Sequence, residues 1–277
     1  MSCLSQFKSK KLHRYIQCEA WSSACARCES HPKEARMWTT QSGFYDGTLA
    51  TEVLPLHMVC CLKAPSAMYE CLLYAYPESL KSKELRYGRL PLHLACIYGA
   101  NINVIKLLLF HFTSAAGVCD AAGRTPIFYA LATCPSYDVV KCLLKACPEA
   151  ARIADFNGYL PLHAACNNKG ASEDAASEDI ILLLLDSYPE SWNMRTKDGS
   201  LPAIPPDLLV RWFNERQPAP EESEELVDNP ECFMDKRDEP TCYRETAISG
   251  QTLLKGRFPF YQETGVSGRT LLKGCFR

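Results

Sequence analysis

The strongest constraint on this chain is a four-residue string that recurs at a nearly constant step. Leu-Pro-Leu-His occupies 54–57, 90–93 and 160–163, and Thr125-Pro126-Ile127-Phe128 is a looser copy. From proline to proline the steps are 36, 35 and 35 residues, then 41 to Pro202. A period of that size marks an array of supersecondary units, each too small to bury its apolar face alone and stable only when stacked on its neighbours.

A second signature falls into register with the first. Leu72-Leu73, Leu107-Leu108, Leu143-Leu144 and Leu183-Leu184 follow the prolines by 16 to 22 residues and read as a second helix. Three copies then close on Tyr76-Pro77-Glu78-Ser79, Cys147-Pro148-Glu149-Ala150 and Tyr188-Pro189-Glu190-Ser191, where a proline without an amide hydrogen stops the helix. Phe112-Thr113-Ser114-Ala115 lacks that stop. Asp120-Ala121-Ala122-Gly123, Asp155-Phe156-Asn157-Gly158 and Asp198-Gly199 have the composition of tight turns. Each unit therefore reads as turn, short helix, turn, longer helix.

The order of turn glycine, Thr/Leu-Pro-Leu-His-x-Ala and a Leu-Leu helix about 16 residues on resembles the ankyrin repeat, a β-turn and two antiparallel helices in roughly 33 residues. The resemblance covers residues 53–204. It implies an all-α ankyrin-repeat solenoid of stacked helix-turn-helix units that binds other proteins. Two departures stand out. Leu54, Leu90 and Leu160 replace the family's Thr, which removes a hydroxyl that Thr shares with the His; only Thr125 keeps it, and that copy has Phe128 for His. The family's Gly-Ala-Asp-like finger after helix two gives way to the Pro-Glu-Ser/Ala segment.

The expected layout is a basic, disordered N-terminus at 1–16, a capping unit at 17–52, repeats at 53–87, 88–122, 123–157 and 158–198, a closing cap at 199–216 and a disordered tail at 217–277. His31-Pro32-Lys33-Glu34-Ala35 echoes the helix stop without its Leu-Leu pair. The fourth repeat carries a short tandem duplication, Ala-Ser-Glu-Asp-Ala at 171–175 followed by Ala-Ser-Glu-Asp, at a tip between helices where insertions cost little. In the tail, 221–245 holds ten acidic against three basic residues, and disorder follows from that composition. Segment 245–258 recurs as 263–276 with ten of fourteen positions identical, either a two-copy linear motif gaining avidity or a neutral duplication.

Composition sets outer bounds. A net charge of −2 gives no bulk attraction to nucleic acid. The most apolar run, 180–185, is far shorter than the roughly 20 residues that span a bilayer. Lys8, Lys10, Lys11 and Arg14 crowd the N-terminus as a basic end, a transit peptide or an import patch. Of the 16 cysteines, Cys60, Cys96 and Cys166 each stand five residues after a motif proline, in the slot that ankyrin repeats fill with Ala, and read as small buried hydrophobes of a chain in a reducing cytoplasm or nucleus.

Few residues suggest chemistry. Cys25-Ala26-Arg27-Cys28 with His31 has a spacing that suits zinc but supplies only three nearby ligands. His57, His93 and His163 take equivalent positions in stacked helices, where successive positions stand roughly 8 to 10 Å apart, so they cannot converge on one ion; they tie turn to helix. No phosphate-cradling glycine loop, His-Glu-x-x-His or nucleophile elbow occurs. Catalytic, metal and cofactor sites are thus not expected. The expected function is a monomeric, non-catalytic scaffold or adaptor for protein partners, without nucleic acid or membrane. Its binding surface is expected at the turn tips and first helices, with candidate contact residues Lys83, Glu84, Arg86 and Tyr87; Val118 and Asp120; Asp155, Phe156 and Asn157; Arg195 and Lys197. Two alternatives stay open: a thiol enzyme or redox sensor on Cys25 and Cys28, and an adaptor that binds through the duplicated tail motif.

Overall fold

The computed structural model describes residues 11–41, 51–133, 135–167 and 175–216, all within one compact unit that runs to Gln217. Each proline of the repeated string is the first residue of a short helix: α3 Pro55–Cys61, α5 Pro91–Ile97, α7 Pro126–Thr133 and α9 Pro161–Asn167. Proline suits that position because its fixed φ is helical and its missing N–H would have had no partner there. The second helices are α4 Ser66–Ala75, α6 Ile102–His111, α8 Tyr137–Ala146 and α10 Ala175–Ser187.

Ahead of these stand α1 Lys11–Gln17 and α2 Trp21–Ser30; α11 Pro206–Asn214 follows them. The first helices stack α1, α3, α5, α7, α9 and the second helices α2, α4, α6, α8, α10, so the core is a continuous apolar seam between two helical layers. One element departs from an all-α reading. Thr39–Gln41 (β1) pairs antiparallel with Thr51–Val53 (β2), so the two ends of the long connection before the first string are joined as a strand pair, the finger.

The second helices correct the register read from sequence. The buried pairs are Leu72-Leu73, Leu108-Leu109, Leu143-Leu144 and Leu184-Leu185, whereas Leu107 and Leu183 are only half-buried. Three consecutive leucines in α6 and four in α10 left two registers open, and packing against the neighbouring helices selects one.

After each of these helices comes one turn of 3-10 helix: Pro77–Lys81, Thr113–Gly117, Pro148–Ala151 and Pro189–Asn193. The second of these has no proline. There Thr113 Oγ1 donates to the Leu109 carbonyl at 2.9 Å, while Ser79 and Ser191 donate to Tyr76 and Tyr188 in their own copies.

The N-terminal region is more structured than its composition implies. Part of the segment expected to be disordered, 11–16, lies in α1, where Leu12 and Ile16 at i and i+4 are wholly buried. The buried Glu34 accepts from the Leu12 amide at 2.9 Å and pairs with Arg27, and Pro32–Arg36 forms the same 3-10 turn as the repeats. Residues 11–41 and 51–53 therefore supply two helices, a 3-10 turn and a strand pair, as a full unit does. At the other end, α11 covers α10 with Leu208 and Trp212, whose indole donates to Asp186 at 2.8 Å. The tail and the tip of the tandem duplication lie outside the described residues.

Candidate functional site

Between one second helix and the next first helix the chain makes a tight turn, and four such turns stack into a ladder. Each closes by a backbone bond across its base: Glu84 N to Arg89 O, Asp120 N to Arg124 O, Asp155 N to Tyr159 O and Thr196 N to Ser200 O, at 2.9 to 3.0 Å. Each is joined to the next by one more: Ala121 N to Tyr87 O at 2.8 Å, Phe156 N to Ala122 O at 3.1 Å and Lys197 N to Asn157 O at 2.9 Å. Gly123 sits at φ +79°, and a Cβ there would lie 2.7 Å from the Phe156 ring, so both its conformation and its space demand glycine.

The acidic residue that starts each turn points inward. Glu84 is 1% exposed and accepts from the amides of Arg86, Tyr87 and Arg89 and from Thr51 Oγ1 on β2. Asp120, 7% exposed, accepts from the Ala122 and Arg124 amides and from Tyr129 OH at 2.5 Å. Asp155, 5% exposed, accepts from the Asn157 and Tyr159 amides at 2.9 Å. In the last turn the acid shifts two places to Asp198, and Thr196 takes the buried position.

The residue after the turn glycine reaches back to the next acid. Arg89 pairs with Asp120 at 3.7 Å, lying between the rings of Tyr87 and Tyr129, and Arg124 pairs with Asp155 at 3.2 Å. Tyr159 OH makes the corresponding long contact to Asp198 at 3.5 Å.

These placements sort the expected contact residues. Glu84, Asp120 and Asp155 are corrected to internal turn anchors, because a carboxylate that accepts several backbone amides is held inside its own loop. Val118 packs half-buried against the core, and Tyr87 lies half-buried beneath Arg89. Lys83, Arg86, Phe156, Asn157, Arg195 and Lys197 are exposed and share the ladder edge. Lys83 Nζ also donates to the Cys119 carbonyl at 2.8 Å, bridging two tips.

Leu85, inside the expected tip 83–87 but not singled out among its contacts, is 74% exposed and with Arg86 and Tyr87 lines a cleft of about 680 Å³ against Thr40, Thr51 and Glu52. An apolar residue set between Glu84 and Arg86, outside any helical period, was the available signal. Of the aromatics, Phe156 is 64% exposed, while Trp192 packs edge-on to Phe213 at 5.7 Å.

The histidines cap their helices, and His93 also joins two units. His57, His93 and His163 each accept through Nδ1 from the amide of the leucine three residues back, at 3.0 to 3.1 Å, so no threonine hydroxyl is required. With Nδ1 accepting, the proton sits on Nε2. That nitrogen donates from His57 to the Ser82 carbonyl at 2.9 Å and from His93 to the Arg124 carbonyl of the next unit at 3.2 Å. Burial pushes the first two imidazoles down to about 4, which keeps them neutral.

The N-terminal thiols are not activated. Burial pushes Cys25 up to about 11 and Cys28 up to about 12, and Cys25 Sγ donates to Met68 Sδ at 3.6 Å. Among the described residues no group of three or more His, Cys, Asp or Glu is arranged to hold a metal ion, and no helix is long and apolar enough to cross a membrane.

Comparison with known proteins agrees with this geometry. Residues 92–196 match the family model of ankyrin repeats in three copies. The crystal structure of the ankyrin repeat domain of Bcl-3, described as a unique member of the IkappaB protein family, superimposes with a TM-score of 0.52 at 16% identity, covering 73% of this chain and 81% of that one. No curated protein sequence gives a significant match. Residues 92–196 therefore match ankyrin repeats, and the fold is an ankyrin-repeat solenoid.

Proposed function

We propose that this protein is a non-catalytic interaction scaffold and that the ladder of turn tips is its recognition edge. One observation carries the reading: the acids of the first three tips are buried and held by their own loops, while Leu85, Arg86, Phe156, Arg195 and Lys197 are left exposed along a single edge. A rigid edge loses little conformational entropy when a partner docks. Ankyrin repeats in general serve as protein-binding modules, which supports the same conclusion. Raised thiol pKa values at Cys25 and Cys28 argue against thiolate chemistry. Buried free thiols at Cys60, Cys96 and Cys166 suit a reducing compartment, the cytoplasm or nucleus.

The test is affinity capture with the full chain. Arg86→Ala combined with Phe156→Ala should melt with the parent and lose its specific partners. Unchanged capture by that variant would refute the placement.

A further inference from the structure

The tips carry both signs of charge, but the structure separates them by depth. Glu84, Asp120 and Asp155 are buried, each accepting at least two backbone amides. Lys83 and Arg86 on the first tip and Arg195 and Lys197 on the fourth are exposed. Asp198 is the one exposed carboxylate of the four tips, and it accepts from Thr196 Oγ1 and Tyr159 OH. Even with the exposed Glu52 lining the cleft beside Arg86, these four cations face two carboxylates, Glu52 and Asp198, so a chain of net charge −2 presents a cationic edge, a property of its folding and not of its composition.

Apolar groups lie between the two cationic ends, Ala121 and Ala122 on the second tip and Phe156 on the third, and Leu85 sits beside Arg86 on the first. From first to fourth tip are three stacking steps of roughly 8 to 10 Å each, or about 25 to 30 Å. An extended peptide rises about 3.3 Å per residue, so eight or nine residues span that length.

We infer that the tip ladder binds an extended acidic peptide segment of a partner protein, with carboxylates at both ends and an apolar side chain over Phe156. Arg86 and Lys83 take one acidic end, and Arg195 and Lys197 take the other. The rim charges set association rate and selectivity, and the aromatic in the middle supplies the desolvated contact. The inference rests on the tip-edge reading above and specifies the partner's chemistry.

The test uses the full chain and two synthetic ten-residue peptides, one with Asp/Glu at both ends around a central Leu-Phe and the other with Asn/Gln in place of every acid. Binding is followed by fluorescence anisotropy at 50 and 300 mM NaCl. The expected result is at least tenfold tighter binding of the acidic peptide at low salt, with most of that advantage lost at high salt. Arg86→Glu and Lys197→Glu should each weaken it about tenfold, while Lys106→Glu on the outer face of α6 leaves it unchanged. Equal binding of both peptides, lost on Phe156→Ala, would overturn the acidic preference and leave the tip edge standing. Binding lost on Lys106→Glu but not on the tip variants would overturn both. Failure of both peptides to bind would overturn the acidic inference alone, since partner capture tests the tip edge separately.

Discussion

Arg124 in one turn reaches Asp155 in the next, Nε to Oδ2 at 3.2 Å, and the two side chains meet at opposite depths, 42% and 2% exposed. The carboxylate is therefore structural, since it also closes its own loop through two amides, whereas the guanidinium is partly solvated. The same division between buried acid and more open base recurs at Arg89 and Asp120, and it stiffens the ladder one unit at a time.

That asymmetry predicts unequal costs for removing the two partners. Asp155→Ala leaves two loop amides without their acceptor and should destabilise by roughly 2 to 4 kcal/mol. Arg124→Ala, with solvent already screening the pair, should cost about 1 kcal/mol or less. Urea denaturation of each variant measures both; equal losses would contradict the depth assignment.

The corrected leucine register makes a second prediction. Leu108→Ala and Leu144→Ala remove side chains 1% and 6% exposed and should each cost roughly 2 to 5 kcal/mol. Leu107→Ala, half-buried on the same helix as Leu108, should cost clearly less. Denaturation midpoints that rank Leu107→Ala above Leu108→Ala would restore the register read from sequence.

Acid should loosen the array through its histidines. His57 and His93 are held near 4 in the folded chain against an ordinary value of 6.5. Above about 6.5 both states are neutral and the full stability is present; as pH falls from there to about 4 the unfolded chain takes up protons that the folded chain refuses. Each histidine then contributes a slope of about 1.4 kcal/mol per pH unit in that window, with stability falling toward acid. Denaturation between pH 7.5 and 5 reads it. His57→Asn should give a shallower profile, and an unaltered one would place the effect elsewhere.

Thiol labelling separates the scaffold from the thiol-chemistry alternative. Among the cysteines of the described residues, the exposed Cys18 should react first with a maleimide at pH 7, and Cys60 and Cys96 only on unfolding. Cys25, raised to about 11, should lag behind Cys18 despite its partial exposure. Labelling of Cys25 ahead of Cys18 would revive a redox role.

The repeats, their helices and the turn glycines were legible in sequence because Pro55, Pro91, Pro126 and Pro161 mark helix starts by chemistry that is local. What was not legible depends on neighbours. α1 appears only once Leu12 and Ile16 find the core and Glu34 meets the Leu12 amide from 22 residues away. The β1–β2 pairing needs two strands separated in the chain. At the site the tips could be placed from composition, but which tip residue faces water could not. An aspartate before Ala-Ala-Gly or Phe-Asn-Gly looks like surface until its amide acceptors and its arginine are seen to hold it inside.

The central claim is that the tip ladder is the recognition edge. Amide hydrogen exchange of the full chain, with and without a partner captured by it, tests that most directly. The account predicts new protection at 83–89, 118–124, 154–159 and 195–200, with α4 and α6 unchanged. Protection confined to those second helices, or to the duplicated segments 245–258 and 263–276 with unchanged tips, would contradict it.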